Sequence, residues 1–236
     1  MSILERTFAD LGGPHRALHG AVLRGVLLAA AGANCVWLVR FAVPTGLAWW
    51  TTLSSELEAT GHPWAPVFQG GFLLADGLTL VAGALAAATW AQARAHPVGM
   101  AGWAALAAFG AASLVDDAVP LNCVPGHDPH CQHRSGGVFI WPVIDQIHAM
   151  TSVLAALAAL ASMAAFARLA RSRPRAGELR WSWSWLAAEL ASTTALGACL
   201  FADAPAGLAQ TAEFVVETTW LVFLARSLPL PGPQDL

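Results

Sequence analysis

Lysine and tyrosine are absent from this 236-residue chain, and only 11% of its residues carry a charge. A soluble globular domain has roughly 25% charged residues, so a soluble two-domain enzyme is excluded. Disorder is excluded too, because 56% of the residues are hydrophobic and a disordered chain cannot be that apolar. The 12 basic residues are all arginine and the net charge is −3, which leaves no basic face for nucleic acid. Strands that alternate polar and apolar residues, as a membrane barrel requires, are also missing. What is present is apolar sequence in long blocks, with a mean hydropathy of +0.55.

A hydrocarbon core about 30 Å thick takes ~20 residues of helix. Six stretches meet that length: 20–43, 67–91, 99–119, 142–167, 183–202 and 208–227. Their Ala, Leu, Val and Gly content suits helices, which satisfy their own backbone in lipid. The expected fold is therefore all-α, a six-helix transmembrane bundle over residues 20–228. Residues 1–19 read as a lead-in and 229–236 as an extended Pro-rich tail. No cleavable signal peptide is expected, because the first apolar stretch is too long and lacks a cleavage pattern.

The arginines orient this bundle. With six spans, Arg6, Arg16, Arg24, Arg94, Arg168, Arg171, Arg173, Arg175, Arg180 and Arg226 share one side, and only Arg40 and Arg134 fall on the other. The positive-inside rule then puts both termini in the cytoplasm. Trp49, Trp50, Trp64 and Trp141 outside, with Trp181, Trp183 and Trp185 inside, read as interfacial belts.

Two long connections, 44–66 and 120–141, fall on the outer side. Cys123 and Cys131 share the second, where an oxidising environment favours a disulfide. Cys35 and Cys199 lie within spans and read as small buried hydrophobes. His127, His130 and His133 lie beside the loop cysteines. Imidazoles in such a cluster can hold a zinc or copper ion at the outer face, and a solvated hairpin closed by the disulfide is the plainer reading.

Ionisable residues within the spans are costly in lipid and so carry more information. Asp76 lies in the second span, and Glu213 and Glu217 share one face of the sixth by their i,i+4 spacing. Asp116 and Asp117 end the third span. Asp145 and His148 enter the fourth, Asp203 ends the fifth, and Asn34 and Arg40 lie in the outer half of the first. Only Glu189 belongs to the inner half. The expectation is an acidic, His-containing cavity open to the outer leaflet. Each residue also has a structural reading: Arg40 snorkels or pairs with Glu56, Asp117 or Asp145, and each acid is a neutral, hydrogen-bonded packing group. Glu56, Glu58 and His62 are expected to be solvated loop residues.

These motifs carry a resemblance. Ser54-Ser55-Glu56-Leu57-Glu58-Ala59-Thr60-Gly61, ahead of Val67-Phe68-Gln69-Gly70-Gly71, resembles the Ser-Glu-Leu-Gly signature of a bacterial six-helix family known as domain of unknown function 998. Asp116-Asp117-Ala118-Val119-Pro120 looks like its acidic/proline element, and Asp145-Gln146-Ile147-His148 like its characteristic histidine segment. Gly207-Leu208-Ala209-Gln210, leading to Trp220, is similar to its last segment. The likeness runs from about residue 20 to 228. Glu58 departs from the usual glycine, and the Cys/His-rich loop is an elaboration. The resemblance implies six helices in the bacterial cytoplasmic membrane and no particular reaction.

Three functions compete. The first is a binding or accessory membrane protein, whose cavity takes a lipid, another hydrophobic ligand or a partner subunit through Asp76, Glu213, Glu217, Arg40, Asp116 and Glu56. Gly70, Gly71, Gly77, Gly83 and Gly110 permit the close helix contacts it needs. The second is an intramembrane hydrolase or lipid-modifying enzyme. There His148 with Asp145, Asp116 or Asp117 holds a metal, or His148 acts as base with Ser152 one turn deeper. The third is a proton-coupled transporter using Asp76 and Glu217, although no inverted repeat is visible.

Overall fold

The computed structural model describes residues 3–92, 96–124, 131, 143–172, 180–202 and 204–227, with side chains from Leu18 onward. Six helices account for nearly all of it: α1 Ile3–Asn34, α2 Ala65–Gln92, α3 Pro97–Ala118, α4 Val143–Ser172, α5 Ser182–Phe201 and α6 Gly207–Ser227. Each lies within about five residues of an expected span, except α1, which is already helical through the segment read as a lead-in and ends at Asn34 rather than near residue 43. Five helices are long and apolar enough to cross a membrane. The sixth has the length, but Glu213 and Glu217 lower its hydropathy. α6 nevertheless packs between α1 and α5 and completes the bundle.

The helix ends follow local chemistry. Pro97 opens α3 at its first position, and the His96 side chain accepts the backbone N–H of Val98 at 3.3 Å. Pro120 forces Val119 out of helical geometry and stops the same helix. After Asn34, α1 tightens into a 3₁₀ segment, Cys35–Phe41, that carries Trp37 and Arg40. A 3₁₀ run of seven residues is long for its type.

Each helix packs on its neighbours in sequence and α6 returns to α1, so the six form a closed ring. The outside of the ring is apolar: Leu74, Val81, Leu85, Val153, Leu157 and Leu190 are all exposed. Within the five apolar spans only 11–44% of residues are buried; the remainder form the face that lipid covers. Small residues set the closest approach. A Cβ on Gly83 would run into the backbone of Ala107, and one on Gly110 would lie 2.7 Å from the Asp76 carbonyl. Gly71 holds Val36 in the same way, whereas Gly70 faces open space.

The interior divides along the ring axis. Toward the end that holds both chain termini, Leu23, Leu27, Trp90, Trp103, Met163, Phe166 and Trp220 form the apolar core. Trp103 meets Phe166 edge-on at 5.2 Å, a geometry that adds to plain burial. Toward the opposite end a second apolar cluster, Trp37, Leu57, Phe68 and Phe72, lies beside the buried polar groups, and residues 42–64 fold over both. That end is called the capped end below.

Candidate functional site

The cap has a buried centre, residues 52–59. Gly46 and Gly61 take positive φ of 73° and 88°, which lets the chain turn back on itself. Ser54 donates its N–H to Gln210 of α6, and Thr60 donates its N–H to the Leu121 carbonyl at 2.9 Å. Glu56 accepts the N–H of Leu53 at 2.8 Å. Arg40 reaches in from the 3₁₀ segment and donates to the Ser54 hydroxyl at 3.3 Å and the Thr52 carbonyl at 3.2 Å, beside Glu56. Glu56 and Glu58 are each only 6% exposed, so the expectation that they are solvated is corrected. Leu57 and Ala59 are fully buried, and their anchoring turns the flanking acids inward.

Beneath the cap lie Asp76 of α2 and Asp117 at the end of α3, their carboxyl groups within hydrogen-bonding distance of each other. Gln69 donates to the Asp117 carbonyl at 2.8 Å and ties the two helices together. Glu58 of the cap and Glu217 of α6 are electrostatic neighbours of this pair. Burial, followed by the charges of Asp117 and Asp116, pushes the Glu58 carboxyl well above its ordinary value. Glu213 accepts the Thr193 hydroxyl at 2.8 Å, which fixes the register between α5 and α6. Glu189, one turn from Thr193, is 0% exposed, lies beside Glu213 and Glu217, and has both carboxyl oxygens unpartnered. One oxygen of Asp117 and one of Glu58 are orphaned as well. Asn34 bridges to Thr218 at 2.9 Å alongside. The result is a ladder of carboxyls from the cap toward mid-bundle, with Arg40 at its rim.

A second polar group joins α3 to α4. Asp145 is fully buried and accepts the backbone N–H of Asn122 at 3.0 Å and its side-chain amide at 3.2 Å. His148 Nδ1 lies 3.2 Å from the carbonyls of Asp116 and Val119 and 3.3 Å from the Asp116 carboxylate. Thr151 and Ser152 both donate to that same carboxylate. Of the residues expected as an alternative catalytic set, Ser152 donates to Asp116, Asp145 accepts from Asn122, and His148 lies against Asp116. Among the described residues no three His, Cys, Asp or Glu side chains converge on a metal-sized site. His127, His130, His133 and Asp203 lie outside the described residues.

Of the residues expected at a site, Asp76, Asp117, Glu213 and Glu217 come together in the ladder; Arg40 and Glu56 meet at its rim, and Asp116 with His148 borders it. Cys123 and Cys131 are disulfide-bonded, with Cα atoms 5.8 Å apart. Cys35 and Cys199 are half-buried thiols rather than enclosed ones. Glu58, Glu189 and Gln210 were not expected to matter. Each had a signal: Glu58 replaces the glycine of the Ser-Glu-Leu-Gly pattern, Glu189 is the single charge on α5, and Gln210 closes the segment that begins at Gly207. An open groove of about 520 Å³ lies elsewhere, at the end with the termini, between Arg24, Leu28, Val222, Ala225 and Arg226.

A family model described as "Protein of unknown function (DUF998)" matches residues 23–227. No curated protein and no solved structure matches the chain.

Proposed function

Because the chain belongs to the DUF998 family, a family of unknown function, we propose a role from the site alone: it is a proton-exchanging protein of the bacterial cytoplasmic membrane. The carboxyl ladder holds protons and trades them with water at the capped end, as the coupling site of a proton-coupled transporter does. The observation that carries this reading is the contact between the Asp76 and Asp117 carboxyls. An ionised carboxylate only accepts hydrogen bonds, so two carboxyls bond to each other only with a proton between them. In a membrane interior, where an uncompensated charge is expensive, proton loss and uptake shift the balance of forces on α2, α3 and the cap together.

A pH-indicator dye in lightly buffered detergent solution tests the reading. After a jump from acid to neutral pH, the wild-type protein is expected to release at least one proton more than Asp117→Asn. Equal release by the two proteins would remove the pair from the function.

A second reading, binding of a hydrophobic ligand, is favoured by the aromatic roof of the ladder. Phe72 and Phe214 stack at 5.2 Å, one turn toward the cap from Asp76 and Glu217. Rings above carboxyls suit an apolar cation. Tetraphenylphosphonium added in the same assay then displaces protons from the wild type; a dye signal that does not respond to it excludes this occupant.

A further inference from the structure

The arginine-flanked groove at the α1–α6 seam has no part in the carboxyl ladder, and its chemistry is of the opposite sign. Arg24 lies six residues into the apolar span that begins at Leu18, a depth of about 9 Å along the helix. It is exposed on the lipid-facing surface, and its Nε donates to the Ala225 carbonyl at 3.0 Å. That bond pins the guanidinium where the ring closes and leaves both Nη groups free to donate. Arg226, the next residue along α6, brings a second exposed guanidinium to the same groove. One turn deeper, Leu28 and Val222 supply its apolar wall.

Other arginines at this end have partners: Arg171 lies 4.1 Å over the Trp183 ring and Arg180 5.7 Å from that of Trp181. Among the described residues no carboxylate pairs with Arg24 or Arg226. A guanidinium within a span and without a counter-ion is costly, and the planar fork of arginine matches phosphate oxygens.

We propose that this groove is a binding site for an anionic phospholipid. The headgroup phosphate sits between Arg24 and Arg226, and an acyl chain lies along Leu28 and Val222. The order of the groove, cationic at headgroup depth and apolar one turn below, is that of a phospholipid itself. A net-negative lipid is preferred over a zwitterionic one because its headgroup brings no ammonium to oppose the two arginines. Its place at the seam makes the lipid a clamp on ring closure.

Native mass spectrometry of the purified full-length protein tests this. The protein is delipidated in detergent and exposed to equal amounts of phosphatidylglycerol and phosphatidylcholine with the same acyl chains. The wild type is expected to retain phosphatidylglycerol preferentially, and Arg226→Gln to lose about fivefold of that preference, the effect of one basic residue near an anionic surface. Val222→Trp keeps both charges but fills the groove, and is expected to lower retention of both lipids. Neither variant touches the Arg24–Ala225 bond, so both are expected to fold. Equal retention of the two lipids by the wild type, or an unchanged preference in Arg226→Gln, overturns the proposal. Displacement of phosphatidylglycerol by millimolar inorganic phosphate also overturns it, because the groove is then a site for free anions.

Discussion

A carboxyl group inside a membrane bundle persists by being neutral, by meeting a cation, or by accepting several hydrogen bonds. Asp145 and Asp116 take the last course, through Asn122 and through Thr151 and Ser152. Asp76 and Asp117 lean on each other, and among the described residues Glu189 has no hydrogen-bond partner for either oxygen. Glu58 lies outside the spans, and its titration makes a direct prediction. Burial and the neighbouring aspartates raise its carboxyl well above the ordinary 4.5, so the folded protein holds that proton more tightly than the unfolded chain. The stabilisation is complete below about 4.5 and is lost as pH rises through the raised folded value. Thermal unfolding of wild type and Glu58→Gln across that window is expected to give a steeper fall of the midpoint with pH in the wild type. Parallel curves would contradict the assignment. Among these residues, the acids within spans were legible in the sequence because an ionisable group in an apolar block stands out. Glu58 was marked only by replacing a glycine, and its burial was not legible, since nothing in the loop composition marks Leu57 and Ala59 as anchors.

Hydropathy locates the helices well because in lipid the length requirement and the need for internal hydrogen bonding leave little freedom. It cannot locate the 3₁₀ segment Cys35–Phe41, whose composition is that of an ordinary apolar helix. That segment aims Arg40 into the cap, so the residues of the rim were legible while the backbone turn that brings them together was not. Hydropathy is equally blind to which glycines matter. Gly70 and Gly110 read alike in the sequence, yet only Gly110 lies against a neighbouring backbone, 2.5 Å from the Leu80 nitrogen through its would-be Cβ. Gly110→Leu is expected to cost about 1–3 kcal/mol or more, the usual range for overpacking, and to lower the thermal midpoint in detergent. Gly70→Leu, at an open position, is expected to change it little. Equal effects from the two substitutions would refute the close α2–α3 contact as a determinant of the fold.

Among the described residues the molecule is polarised along its axis, with carboxyls under the cap and arginines at the end that holds the termini. The low charge content of the chain conceals this, because the acids described within the spans are largely buried. The orientation proposed from the arginines, with ten of the 12 on the side expected to be cytoplasmic, puts the disulfide at the capped end in the compartment where oxidation would preserve it. A membrane-impermeant maleimide applied to intact spheroplasts is expected to label Cys123 and Cys131 only after reduction; labelling that requires membrane rupture would reverse the orientation. The central claim, a proton held between Asp76 and Asp117, is tested most directly by infrared absorption of the purified protein at neutral pH, in H₂O and in D₂O. The expected result is a protonated-carboxyl band that shifts in D₂O and moves to a different frequency in Asp117→Asn, where the proton on Asp76 no longer bridges to a second carboxylate. A spectrum with no such band, or one left unchanged by Asp117→Asn, would contradict it.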